Sequence, residues 1–474
     1  MGSYIPSTTS ERKSMLEFLG KTSMHELFKH IPAELFLSRP LDLPSGLSEL
    51  EVRKRLEEIA DKNVVFKTIF RGAGAYNHYI PSSVKYISAK EEFVTAYTPY
   101  QAEISQGLLQ SIFEYQTMIC ALTGMDASNA SVYDGATAAA EAALMCQDRG
   151  RDRLLVSAAI NPETLKVVKT YCQAACMTVV MIPLKGGVTD GEALASSIDD
   201  HTAAVLVQQP NYFGLIEDCE RIGEIAHAAS AKYIMSCYPV ALALLKTPFE
   251  CGADIATGEG QPLGMPLSFG GPYLGYMACR AALLRRLPGR IVGETTDIHG
   301  ERAFVLTLQA REQHIRREKA TSSICSNQAL CALTASIYLG ALGPSGLISV
   351  AEQCHAKAAY AAKQISAVTG FKLVFSGPFF NEFVTSSPIP AEELMNQLEE
   401  KGILGGYPIA FGENQIALGS SPKANDSSVN QPKTTDSMSN LPENAILWCV
   451  TEVNTKAEID QLVKIIKEVT GRCN

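Results

Sequence analysis

The chain is short of several things, and each shortage excludes something. No lysine occurs between Lys246 and Lys319. No apolar run reaches the roughly 18 residues of a membrane-spanning helix, so no membrane partner is expected. The opening Met-Gly-Ser-Tyr-Ile-Pro has neither the basic stretch and apolar core of a signal peptide nor a good myristoylation pattern. Thirteen cysteines include no C-x-x-C pair. The closest pairs, Cys172 with Cys176 and Cys325 with Cys331, fall in segments that read as helical, and most others lie in apolar runs such as Met118–Leu122. They are expected to be buried reduced thiols, which implies a cytoplasmic setting. Eight histidines form no H-x-x-x-H and accompany no cysteine pair, so no metal centre is predicted. Basic residues are also outnumbered: 41 Lys plus Arg against 50 Asp plus Glu leave a net charge of −9, which argues against nucleic acid as a partner.

What is present is ordinary for a globular protein, with 46% hydrophobic and 19% charged residues. A length of 474 residues exceeds one compact core and predicts two or three domains. Residues 1–60 read as a helical arm. Ser10–Leu19 has helical apolar spacing and ends at Gly20, Thr22–Phe28 opens on a capping Thr or Ser with Glu26, and a helix over Ser48–Ala60 follows three prolines. An amphipathic, proline-interrupted arm of this kind usually wraps a neighbouring surface.

Residues 61–343 read as a large α/β domain. Apolar runs at Arg153–Val156, Met177–Ile182, Ala203–Val207 and Lys232–Met235 alternate with helical segments near Glu163–Ala174, Gly191–Ile198 and Arg221–Ala231. Continuous apolar strands separated by helices indicate a mostly parallel sheet covered on both faces. Pro344 and Gly346 follow a buried helix and mark a boundary. Residues 344–474 then read as a small α+β domain, with helices over Val350–Thr369, Ala391–Lys401 and Lys456–Thr470. Within it, residues 420–440 are polar and nearly free of large apolar groups, as in a disordered surface loop. Phe70–Tyr76 contains a G-x-G that is too common to indicate nucleotide binding.

Ala253–Gly275 reads as the substrate-facing loop of an α/β enzyme. The whole pattern resembles the pyridoxal-phosphate (PLP) dependent transferases of the aspartate-aminotransferase type, fold type I, where this loop carries the lysine that forms an imine with the cofactor. Gln261 stands in that place, and an amide forms no imine. The acid that would hold the pyridine nitrogen is missing from the strand end Tyr233–Pro239. Ser131–Glu141 keeps the small-residue turn into an Ala-rich helix that would cradle a phosphate. Asp134 beside it would repel that phosphate, and its simpler role is to cap its own helix.

Six motifs carry a closer resemblance: Tyr97–Ser111, Phe113–Met118, Asn129–Ser131, Gln209–Gly214, Phe269–Pro272 and Arg316–Cys325. They resemble the P-protein of the glycine cleavage system, glycine dehydrogenase (decarboxylating), in the first subunit of its split form. The likeness runs from the arm to the last helix, with 420–440 as an insertion. It implies a β subunit of the same fold that holds PLP on its lysine, an α2β2 heterotetramer, glycine as substrate, and transfer of the aminomethyl group to the lipoyl arm of H-protein with release of CO2. On that reading Tyr97, Tyr100, Gln101 and Glu103, gathered around Pro99, are candidates to wall a shared site, or else interface anchors without catalytic contact. Thr321, Ser322 and Ser323, after the basic run Arg316–Lys319, are candidates to reach a phosphate held by the partner, or else cap the helix that follows. Two other readings remain: a self-sufficient PLP enzyme using Lys246, and a scaffold without an active-site role.

Overall fold

The computed structural model describes residues 6–37, 39, 41–409 and 442–471, so the polar stretch expected at 420–440 lies outside the described residues. The chain divides between Val65 and Phe66 into two compact units. In the first, the helices Thr9–Phe18 and Glu49–Ala60 each begin with a capping box. Thr8 accepts from the Glu11 N–H while Glu11 accepts from Thr8, and Ser48 and Glu51 repeat the arrangement. Neither helix has a single buried residue. Local capping, not a core, holds them in shape, and Phe18 is 90% exposed.

The second unit is built on a seven-stranded sheet. Its strands are β1 (Ala127–Ser128), β2 (Arg153–Ser157), β3 (Thr178–Ile182), β4 (Thr202–Gln209), β5 (Lys232–Cys237), β6 (Ile255–Glu259) and β7 (Gly275–Cys279). They lie in the order β1-β7-β6-β5-β4-β2-β3. The pairs from β6 through β3 are parallel, while β7 runs antiparallel to both of its neighbours. The mostly parallel α/β sheet expected from the apolar runs is therefore present. Leu155, Val205 and Met235 enter the core on one face, and Leu154, Leu206 and Ile234 enter that on the other. Strands buried on both faces need apolar residues at successive positions, which is why these segments read as continuous runs. The segment read as a loop at 253–275 differs: its ends are β6 and β7, and only the connection between them is irregular.

Helices cover both faces. Gly135–Cys146 buries ten of its twelve residues, and five alanines among them let it lie close to the sheet. Tyr115 and Ile119 from Gln106–Thr123 join Ala335 and Tyr338 from Ala329–Ser366 on the opposite face. Ala329–Ser366 is long and apolar enough by length and composition to cross a membrane. It kinks at Gly343 (φ 61°, ψ 177°), next to Pro344, and both halves contribute to cores: Tyr338 to one, Ala358, Ala361 and Ile365 to another. The punctuation at 344–346 thus coincides with a break between two helical stretches, as the sequence predicts.

Beyond it, Lys372–Leu373, Glu382–Ser386, Ala445–Cys449 and Tyr407–Ile409 form an antiparallel sheet in that order, backed by the helices Ala391–Glu400 and Lys456–Gly471. Trp448 is fully buried there, and its indole N–H donates to Thr385 Oγ1 at 2.9 Å. It is the only tryptophan. Thr385→Val would strand that N–H in the core and should cost about 1–3 kcal/mol. Urea unfolding followed by the single indole checks this, and a loss under about 0.5 kcal/mol would show that the bond contributes nothing.

Candidate active site

Ligands of open parallel sheets bind outside the carboxyl ends of the strands, where β5, β6 and the start of Gly135–Cys146 meet. In this chain that place is already occupied by protein. Gly135 N donates to Glu259 Oε2 at 2.9 Å, while Gln261 N and Leu274 N donate to Oε1 at 2.9 and 3.0 Å. Asp134 Oδ1 accepts from Thr137 N at 2.7 Å and caps the helix. The N–H groups that would cradle a phosphate are therefore spent on two carboxylates of the chain itself. A side chain at position 135 would meet Glu259 N at 2.7 Å, so only glycine allows the turn to close so tightly on β6. Burial pushes the Glu259 carboxyl up to about 7 against the pull of its three N–H donors, and Asp134 adds to the rise. A dianion brought here would meet both acids.

Gln261 is 1% exposed and fully used. Its Oε1 accepts from Tyr76 N at 2.8 Å, and its Nε2 donates to Tyr76 O at 2.9 Å and Met265 O at 2.7 Å. The amide thus pairs with Tyr76 as a neighbouring strand would, a geometry that a lysine cannot reproduce. The end of β5 carries Cys237 and Tyr238 and no carboxylate. Tyr238 packs its ring 4.4 Å from Tyr76 and 5.8 Å from Phe380, in a closed apolar cluster.

Tyr76 belongs to a segment, 69–79, that is tied down along its length. Ala73 N and Tyr76 OH donate to Glu382 at 2.7 and 2.8 Å, Asn161 Nδ2 donates to Ala73 O, and Thr451 Oγ1 donates to Asn77 O. Gly214 (φ 82°), at the end of the Gln209–Gly214 motif, lies so near Glu382 that a Cβ would sit 2.0 Å from its carbonyl oxygen. Burial pushes the Glu382 carboxyl up to about 7, opposed by the Ala73 N–H and the Tyr76 hydroxyl. At the far end of the segment, His78 Nδ1 bonds Glu452 at 2.7 Å, its Nε2 bonds Tyr238 OH, and Cys354 Sγ donates to Glu452 at 3.3 Å. Ligand atoms of His78, Cys354 and Glu452 lie within 4.8 Å of one another. Each is already hydrogen-bonded, so the trio forms a closed network and not an open coordination site.

The residues expected to act are scattered by comparison. Tyr97 and Tyr100 are 88% and 61% exposed, and Gln101 and Glu103 are exposed beside them. Tyr97 OH lies 3.4 Å from Ser326 Oγ. Thr321 and Ser323 are exposed, whereas Ser322 turns inward to Glu141, whose carboxyl burial raises to about 7. None of the three caps the next helix, which starts only at Ala329 with Gln328 at its N-cap. Instead Ile324 N bonds Ser322 Oγ and Gln328 N bonds Ser131 Oγ. These side-chain bonds hold irregular backbone, so Cys325 is exposed in a loop and not in a helix. Lys246 is exposed and paired with Glu220 at 2.7 Å. Glu259, Glu382, Tyr76 and His78 were not foreseen as site residues. Glu259, two positions before Gln261, and Tyr76, at the end of the G-x-G stretch Phe70–Tyr76, lay beside a sequence signal, whereas Glu382 and His78 did not.

Two outcomes are expected. Gln261→Ala should cost about 2–4 kcal/mol in urea unfolding, because it orphans the Tyr76 N–H and two carbonyls, and Gln261→Lys should still trap no PLP with borohydride; stable trapping would refute the reading of a filled site. Glu382 has a folded pKa raised from 4.5 to about 7, so the stability that accompanies its protonation is full below pH 4.5 and is lost as pH rises through 7. Each pKa unit is worth about 1.4 kcal/mol, so Glu382→Gln should remove about 3 kcal/mol of pH dependence between pH 4.5 and 7. Melting curves across that range check it, and an unchanged profile would mean that Glu382 does not titrate there.

Comparison with known proteins agrees with this architecture. A family model described as glycine cleavage system P-protein matches residues 2–420. A probable glycine dehydrogenase (decarboxylating) subunit 1 of Desulforamulus reducens is 49% identical over 97% of this chain and 98% of its own length. The crystal structure of a glycine decarboxylase (P-protein) of the glycine cleavage system, in inhibitor-bound form, matches with TM-score 0.85 and 40% identity over 99% of this chain and 100% of that one. A NifS-like protein, 15% identical, shares the fold alone, with TM-score 0.60 over 85% of this chain and 99% of that one. The sheet is thus that of the PLP-dependent fold type I proteins, and the chain belongs to the glycine cleavage system P-protein family, in its subunit 1 form.

Proposed function

We propose that this chain is the α subunit of glycine decarboxylase and works only with a β subunit of the same fold that carries PLP on a lysine. Together, as an α2β2 assembly, they decarboxylate glycine and pass the aminomethyl group to the lipoyl arm of H-protein, releasing CO2. The observation that carries this reading is the filled site. Gln261 is spent on Tyr76, and the phosphate cradle is spent on Glu259 and Asp134. The residues present do not fit PLP, so no chemical step through the cofactor is assigned to this chain.

Its contribution is a wall. Tyr97, Tyr100, Gln101 and Glu103 line an exposed turn; Ile104 beside them is 79% exposed, and Phe269 in the separate Phe269–Pro272 motif is 83% exposed. Aromatic and amide side chains of this kind exclude water and hydrogen-bond without adding charge, as a neighbour's active site requires. Thr321 and Ser323 remain free to reach a phosphate across the interface, whereas Ser322 is committed to Glu141. The N-terminal unit supports a heteromeric reading, because Phe18, Leu35, Leu43, Leu50 and Leu56 are all at least 60% exposed on it. Apolar surface on that scale is normally covered by a partner. The twelve described cysteines are all free, nine of them buried, which supports placing the complex in the cytoplasm.

Glycine–bicarbonate carbon exchange, with PLP and lipoyl H-protein, tests the proposal. Exchange is expected only when this chain and its second subunit are mixed, with each alone giving background. Exchange by this chain alone would overturn the proposal in favour of an independent enzyme, with Lys246 the first lysine to replace. No exchange in the mixture would leave a scaffold role as the better reading.

A further inference from the structure

The turn Pro288–Gly289–Arg290 buries a positive charge that forms no ion pair with an acid among the described residues. Arg290 is 6% exposed. Its Nη1 donates to Asn327 Oδ1 and its Nη2 to Tyr100 OH, both at 3.3 Å, the long end of the range for N–H donors. Its Nε is enclosed and has no partner. Arg311 stands against the same turn, with Nη2 donating to Gly289 O at 2.6 Å and its own Nε likewise enclosed and unpartnered. Arg53, Arg153, Arg286 and Arg302 each face a carboxylate, whereas Arg290 forms no ion pair among the described residues and the acidic neighbour of Arg311 is Glu312. Burial pulls the Arg311 pKa below its ordinary value, partly countered by Glu312.

A buried guanidinium with two weak neutral bonds is a costly arrangement unless an anion completes it. The planar fork suits the oxygens of a carboxylate or phosphate, which it can grip bidentately. The roof of the site is its exposed side. Tyr100 lies over Arg290 with its ring centre 5.6 Å from Cζ, is itself 61% exposed, and sits on a stretch, 94–101, that is neither helix nor strand. The floor, in contrast, is rigid. Asn327 Nδ2 bonds Ala130 O at 2.9 Å, and Ser131, at φ 113°, accepts from Gln328 N.

We propose that Arg290 beneath Tyr100 is a receptor for an oxyanion brought from outside the chain, a phosphate or carboxylate group presented at the Tyr97–Tyr100 face. Tyr100 moves aside, its hydroxyl turns from accepting the Arg290 N–H to donating to the anion, and Arg311 adds a second positive charge. The inference rests on this geometry and not on the proposed reaction, so a failed exchange assay leaves it standing.

Thermal unfolding of the full chain in inorganic phosphate, acetate or chloride at matched ionic strength tests it. Saturable stabilisation beyond chloride is expected, with apparent affinity falling at least tenfold in Arg290→Gln and severalfold in Tyr100→Phe. If Arg290→Gln fails to fold, Arg290→Lys keeps the charge without the fork and should also bind at least tenfold more weakly. A response to phosphate alone would identify a phosphoryl group as the ligand. An equal response to acetate would point to an acidic side chain of a partner. No saturable response, or a wild-type response retained by Arg290→Lys and Tyr100→Phe, would overturn the proposal and leave Arg290 as an internal strut.

Discussion

The pairing of the Gln261 amide with the backbone of Tyr76 is the constraint on which the rest of the site depends. It joins the β6–β7 connection to segment 69–79, two stretches nearly 190 residues apart in sequence (positions 76 and 261). Once Tyr76 is held, its hydroxyl reaches Glu382, its ring covers Tyr238, and the segment is delivered to His78 and Glu452. A buried backbone N–H and C=O left without partners would cost more than most side-chain contacts return. The amide is well suited to the position, since it offers one donor group and one acceptor on a planar frame and carries no charge.

Electrostatics reinforces what this staple begins. Glu259 and Asp134 offer the start of Gly135–Cys146 carboxylate acceptors, which a helix N-terminus favours. The same scaffold that elsewhere welcomes a phosphate is here neutralised from within. Glu141, Glu259 and Glu382 all have carboxyls raised to about 7 by burial. The chain therefore holds acids in partly desolvated places, while the buried Arg290, which forms no ion pair among the described residues, lies under the exposed Tyr100.

Much of this was legible in advance, for identifiable reasons. The parallel strands were visible because burial on both faces forces consecutive apolar residues, as in Leu154–Val156. Asp134 was legible as a cap because Asp before a small-residue helix has one local use, and the structure shows it bonded to Thr137 N. Strands β6 and β7 were hidden inside an apparent loop, because Gly258, Gly260 and Gly275 break the pattern that marks a strand. Pro344 and Gly346 are legible as punctuation, and the backbone breaks beside them at Gly343, between two helical stretches. Thr321–Ser323 resemble a cap because hydroxyls precede a helix, but Ser322 bonds Ile324 N and Glu141 and the helix starts only at Ala329.

By itself, the sequence determined the class of fold through local periodicity, the resemblance to the P-protein family through its motifs, and the lack of any lysine between Lys246 and Lys319. None of these needs a third dimension. It did not determine what replaces the cofactor. That Gln261 pairs with Tyr76, that Glu259 fills the phosphate cradle, that Glu382 anchors the segment between them, and that Arg290 is buried without an acid were all decided by tertiary structure. Each depends on groups from distant parts of the chain arriving within about 3 Å of one another, and hydrogen bonds and desolvation depend on that distance and not on separation along the sequence.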